Sequence, residues 1–294
     1  MFVVQHMPYA ATMHTLASGL IAQGRAVATK TWQGQDVTNN PAMATLELER
    51  VTLELGMVWG DEARQVIEPN LPWADDHFAE RVSGFPLNPP PSAATWPFAQ
   101  RGHTDHTDGA KQFSHTYPER FWPKHAGHSP SLCSKGDTED PKDNSFCDFD
   151  VHFGIRYHWG DLYDIVELLK RDDQTRQAYL PVWFPEDTGT VKGQRVPCTL
   201  GYHFMVRHGK MHIIYYMRSC DFIRHFPDDV YLAMRLAEWV NRESGLNLMP
   251  GTLTMHISSL HVFKGDKLAL DSINQKYQGK AAEALMEALA GGPR

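Results

Sequence analysis

The stretch 201–217 constrains the fold most. It reads Tyr202-His-Phe-Met-Val-Arg, a turn at His208-Gly209-Lys210, then Met211-His-Ile-Ile-Tyr-Tyr-Met217. Alternation on both sides of a glycine-containing turn predicts an antiparallel hairpin with one buried face. That face needs a cover, and the flanking sequence supplies candidates. From about Asp228 to Arg242 a helix is predicted, with Val230, Ala233, Met234, Ala237 and Val240 on its apolar face and Gly245 just beyond its end. Leu253 to Phe263 reads as a strand. The alternating run from Ala44 to Leu55 reads as another strand or a hairpin. Trp73 to Gly84 suits a short helix, and Asp161 to Arg171 places Leu162, Ile165, Val166 and Leu169 on one helical face. A last helix is expected from Lys280 to Leu289. Strands and helices mixed without regular alternation predict an α+β fold.

The chain has 294 residues, of which 42% are hydrophobic, so one large domain covering 1–294 has ample core material. A loop-rich insertion is expected around 86–160, because Pro89-Pro90-Pro91, many histidines and the polar run Lys135–Asn144 fall there. His125, His128, Cys133, Cys147 and His152 lie in it, but their spacing is not diagnostic of a metal site, and no metal is expected. A net charge of -7 argues against a general nucleic-acid surface. Four cysteines in a chain this long do not form a disulfide framework. There is no apolar run of membrane-spanning length, and Met1 to Ala11 lacks the pattern of a secretory signal. These features lead to the expectation of a soluble, cytoplasmic protein.

Four short segments can carry chemistry: Asp173-Gln-Thr-Arg176, Pro197-Cys198-Thr199, Met217-Arg218-Ser219-Cys-Asp221 with Phe226-Pro-Asp228-Asp229, and Ser258-Ser259-Leu-His261-Val-Phe263. Singly, each has an ordinary structural explanation. A cysteine can be a small buried hydrophobe, and Asp229 can favour a helix N-terminus through the dipole.

Taken together, the order and spacing of these segments resemble thymidylate synthase, and more closely the phage deoxycytidylate hydroxymethylases. The likeness is good from Asp161 to Asp266, where Trp183-Phe-Pro185 also fits, and weak before Tyr117. It implies a mixed sheet with packed helices and a homodimer. It also implies a pyrimidine nucleoside monophosphate and 5,10-methylenetetrahydrofolate as substrates. Cys198 would be the nucleophile that adds to C6 of the base and makes C5 reactive. Arg218 would lower the thiol's pKa and, with Ser219, bind the phosphate. Arg176 would reach that phosphate from the partner subunit; the family's second arginine is Gln177 here. Asp221, Tyr117 and Trp122 would face the folate, and His261 the sugar. Phe263 stands where the family has a tyrosine, which leaves ribose and deoxyribose both open. The family's glutamate acid/base aligns near His77 and Glu80.

Asp229 occupies the base-reading position, where thymidylate synthases carry asparagine. An ionised carboxylate only accepts hydrogen bonds, which suits the N4 amino group of cytosine and an N3 protonated during attack, and opposes O4 of uracil. Cys198-Thr199 matches the hydroxymethylases as well, where thymidylate synthases have Cys-His. The resemblance therefore implies C5 hydroxymethylation of dCMP, in the setting of phage DNA modification. Methylation of dCMP or dUMP of the thymidylate-synthase type, and hydroxymethylation of CMP, remain as alternatives.

Overall fold

The computed structural model describes residues 1–28, 30–32, 35–98, 113, 115–123, 160–188 and 196–290. The five histidines and cysteines of the insertion lie outside them. The hairpin is present as β7 (Thr199–Arg207) and β8 (Lys210–Met217). Its turn is His208-Gly209, both with positive φ, 52° and 70°. Two such residues give the backbone twist that a tight hairpin needs. β10 (Met249–Phe263) lies parallel to β8 on one side and antiparallel to β5 (Thr45–Gly56) on the other. Short strands complete the sheet: β1 (Phe2–Val4) and β2 (Arg25–Val27) on β5, β6 (Tyr179–Pro181) on β7, and β9 (Cys220–Asp221) on β10. The path is β1-β5-β10-β8-β7-β6, and β3 (Thr31–Trp32) and β4 (Gln35–Asp36) form a separate ribbon. Mixed strand directions with packed helices make this an α+β fold, as the sequence predicts.

One sheet face is apolar. Val51, Leu53 and Leu55 of β5, Ile213 and Tyr215 of β8, and Leu253, Met255 and Ile257 of β10 are buried there by strict alternation. The predicted helix over 228–242 is α7 (Phe226–Ser244), closed by Gly245 at φ 70°. It buries Val230, Ala233, Met234, Ala237 and Val240 as the periodicity requires. α5 (Leu162–Arg171) packs on α7, and Asp161 caps it through a reciprocal box with Asp164. α3 (Trp73–Arg81) also lies on α7.

Two N-terminal helices, α1 (Tyr9–Gln23) and α2 (Gly60–Ile67), were not expected. The last helix, α8 (Lys267–Ala290), starts well before Lys280 and packs on α1. No helix among the described residues is long and apolar enough to cross a membrane.

A register shift in β7 between Thr199 and Gly201 matters for the site. Beyond it Tyr202, Phe204 and Val206 are buried; without it Thr199 would face the other way. Gly201 allows the shift, since a Cβ there would sit 2.7 Å from the backbone oxygen of Leu180.

The segment before Cys198 is tied down by a buried ion pair. Arg120, in α4 (Tyr117–Phe121), gives Nη1 and Nη2 to the two oxygens of Asp187 at 3.0 and 2.9 Å. Asp187, in α6 (Pro185–Thr188), also accepts the N–H of Phe184 at 2.8 Å. Removing one partner strands the other charge in the interior. Asp187→Ala is therefore expected to cost about 3–5 kcal/mol of stability, read from a urea unfolding midpoint.

Candidate active site

Cys198 is half-buried and immediately precedes β7. Its Sγ lies 3.6 Å from the Ser219 hydroxyl and 3.8 Å from Nη2 of Arg218. Arg218 cannot swing away easily. Its Nε donates to the carbonyl of Pro197 at 2.8 Å, Nη2 to that of Val196 at 3.0 Å, and its backbone N–H to that of Cys198 at 2.9 Å. Arg218 is thus a fixed cation beside the thiol. Cys220 is placed differently. Burial, then the Asp229 and Asp221 carboxyls, push its thiol well above the ordinary range. Of the two cysteines among the described residues, only Cys198 has a cation at hand.

Asp229 sits in the first turn of α7, where the helix dipole favours a carboxylate. Burial outweighs the dipole: it pushes the carboxyl up to about 7, against the opposing charge of Arg81. The Tyr215 hydroxyl donates to Oδ1 at 3.4 Å, and the Cys220 thiol to Oδ2 at 3.5 Å. A line of hydroxyls continues from there. Tyr215 bonds Thr199 at 2.8 Å, and Thr199 bonds Tyr117 at 2.9 Å. The β7 register shift builds this line, because it turns the fully buried Thr199 towards Tyr215. Next to Asp229, Asp228 accepts the N–H and Nδ2 of Asn70 at 2.8 and 2.7 Å, which fixes the start of α7 against the loop leading into α3.

On α3, Nδ1 of His77 meets the Ser92 hydroxyl at 3.0 Å, and Nε2 accepts from Nη2 and Nε of Arg81 at 2.9 and 3.1 Å. Burial, then the Arg81 charge, lower the imidazole to about 4, so it is neutral, with Nδ1 as the donor. Glu80 accepts from the Ser92 hydroxyl and, at 2.6 Å, from its N–H. Burial raises this carboxyl, but the bonds from His77 and Ser92 prevail and hold it below the usual range. His77 and Glu80 thus spend their hydrogen bonds inside the protein. They form a chain, Arg81 to His77 to Ser92 to Glu80, that fixes Arg81 with its guanidinium 3.9 Å over the Tyr117 ring.

The other predicted residues divide. His261 lies on β10 opposite Asp221 of β9, and burial lowers its imidazole. The Asp221 charge raises that imidazole and the Arg218 charge lowers it further. Arg176 is exposed, and its carbonyl bonds His203 at 3.1 Å. Asp221 accepts the N–H groups of Ile223 and Arg224, both at 3.0 Å, and pairs with the Arg224 guanidinium at 2.8 Å. It therefore shapes the turn before α7. Trp122 is 0% exposed, packs on Tyr163, and donates its indole N–H to the carbonyl of Arg81 at 2.9 Å, which holds the end of α3. Sequence reasoning missed Arg81 and Tyr215. The only local signal for Arg81 was its place four residues after His77, one helical turn on.

Residues 142–284 match the family model described as thymidylate synthase. A Methanosarcina barkeri protein named "Putative thymidylate synthase" is 32% identical over 125 residues, covering 40% of this chain and 55% of that protein. A Paramecium tetraurelia protein named bifunctional dihydrofolate reductase-thymidylate synthase is 27% identical over 129 residues, 40% of this chain and 27% of that one. The chain spans about half the length of the archaeal relatives it matches.

Proposed function

We propose, for a chain whose residues 142–284 place it in the thymidylate-synthase-like superfamily, that it hydroxymethylates C5 of dCMP. dCMP, 5,10-methylenetetrahydrofolate and water give 5-hydroxymethyl-dCMP and tetrahydrofolate. The observation that carries the choice of base is Asp229, buried and poised near neutrality opposite the nucleophile's strand. A neutral carboxyl has one donor and one acceptor, which match N3 and the N4 amino group of cytosine. As the Cys198 thiolate adds to C6, the Asp229 proton moves to N3 and the ring's new electron pair is accommodated. C5 then carries the reactive electron density, and the folate supplies the one-carbon electrophile.

Arg218 and Ser219 bind the phosphate in this reading, with His261 near the sugar. Asp221 retains lone pairs beyond its three bonds. Close to it, His225 stacks on Trp96 at 5.1 Å, and the buried indole N–H of Trp96 has no partner among the described residues. With Tyr117 these groups suit a flat heteroaromatic ring that bears acceptors, as the folate does. A homodimer with Arg176 acting across the interface fits the surface around Arg176. Tyr179 there is 41% exposed and continues through His203, Tyr216 and His256 as an aromatic ladder on one sheet face.

The test is to incubate the protein with methylenetetrahydrofolate and dCMP, CMP or dUMP and weigh the products. A gain of about 30 Da on dCMP is expected, from the CH2O unit that the Cys198 adduct takes up. A gain of about 14 Da would mean methylation, with hydride in place of water. Preference for dUMP would overturn the reading of Asp229.

A further inference from the structure

Arg81 is 4% exposed and forms no ion pair with a carboxylate among the described residues. Its side-chain hydrogen bonds among the described residues go to a neutral imidazole, and Glu80 lies two bridges further on. A buried guanidinium whose described partners are neutral is costly unless a counter-charge meets it. The protein invests heavily in holding it: Glu80, Ser92 and His77 from the side, Trp122 on its carbonyl, and Tyr117 beneath its plane.

The groups facing Asp229 show where that charge develops. Cys220 reaches it from β9, Tyr215 from β8, and Asp228 from its own helix, while Arg81 is the cation among its perturbers. Tyr117, under the guanidinium, belongs to the hydroxyl line that ends on Asp229. We infer that Arg81 is the positioning residue for the proton chemistry of Asp229, supplying the counter-charge that the carboxylate meets once its proton has gone to the base. His77 and Glu80 then serve the reaction by fixing Arg81. The inference rests on the reading of Asp229 as the base-facing acid, but its test needs no substrate.

Asp229 is titrated in the free protein by infrared difference spectroscopy, following the carboxylic-acid band that disappears in Asp229→Asn. The wild-type midpoint is expected near 7. Arg81→Gln should raise it by about one unit or more, because an opposite charge nearby favours the ionised form. Arg81→Lys should keep it near the wild-type value. Arg81→Met serves as the second charge-removing variant should Arg81→Gln fail to fold. An unmoved midpoint in the folded neutral variant, or a lysine variant that behaves like it, overturns the inference even if dCMP is turned over. A moved midpoint in a protein that hydroxymethylates nothing would leave Arg81's role standing and sink the functional reading. With dCMP turnover present, the high-pH limb of kcat/KM in Arg81→Gln should follow the same shift.

Discussion

Replacing Cys198 by alanine is expected to lower kcat/KM for every pyrimidine substrate by about 10^4-fold or more, with nucleotide binding largely kept. In the proposed reaction the thiol supplies the bond to C6 without which C5 has no electron pair to offer. The groups proposed to bind the phosphate do not depend on it, because the Arg218 guanidinium is anchored on the carbonyls of Val196 and Pro197. Single-turnover assays and nucleotide-binding titrations separate the two effects. Cys198→Ser keeps the shape but replaces the thiol by a hydroxyl that does not ionise near neutral pH, so it should be almost as poor. Activity surviving in Cys198→Ala would mean that covalent addition takes place elsewhere. The deeply buried Cys220, held protonated by its surroundings, is an unsuitable substitute.

The parts of this protein legible in its sequence are those with dense local patterns. The 201–217 hairpin and α7 carry apolar residues on strict periods, and both fall where periodicity puts them. α1 escaped notice because its buried face mixes Ala11, Thr12, Ala17 and Gly19 with larger residues, and Pro8 provides no side-chain cap. α8 was expected only from Lys280, because its earlier part is largely polar and buries just Leu270 and Tyr277, while packing on α1 stabilises it. In the candidate site, Cys198, Arg218 and Asp229 were singled out because they stand in spaced motifs, and the structure sets Arg218 beside Cys198. The hydroxyl line was not. It joins Tyr117 to Thr199 across 82 residues and needs the β7 register shift, which alternation alone does not foretell. The same holds for the neighbours of Asp229. Its position announced a carboxylate, but its burial, and hence its proton, belong to the tertiary structure.

That proton gives the other large expected effect. Asp229→Asn should invert the choice of base, with the ratio of kcat/KM for dCMP over dUMP falling by about 10^3-fold or more. The asparagine amide can donate to O4 and accept from N3–H of uracil, whereas cytosine requires a group able to protonate N3. In the wild type the discrimination should vary with pH. Above about 7 the ionised carboxyl opposes O4 of uracil. Below it the neutral acid can turn its O–H to O4, and dUMP should compete better. Stability offers an independent check. The folded carboxyl titrates above the ordinary aspartate value of about 3.9, so the folded state holds its proton longer than the unfolded chain does. Its contribution is then full below about 4, is lost progressively as pH rises to about 7, and stays lost above. Asparagine does not titrate, so the melting temperature of Asp229→Asn relative to wild type should climb between pH 4 and 7 and level off beyond. A flat difference would show that Asp229 ionises normally in the folded protein. A standing carboxylate would then read the base by repulsion of uracil alone, with the N3 proton supplied from another source.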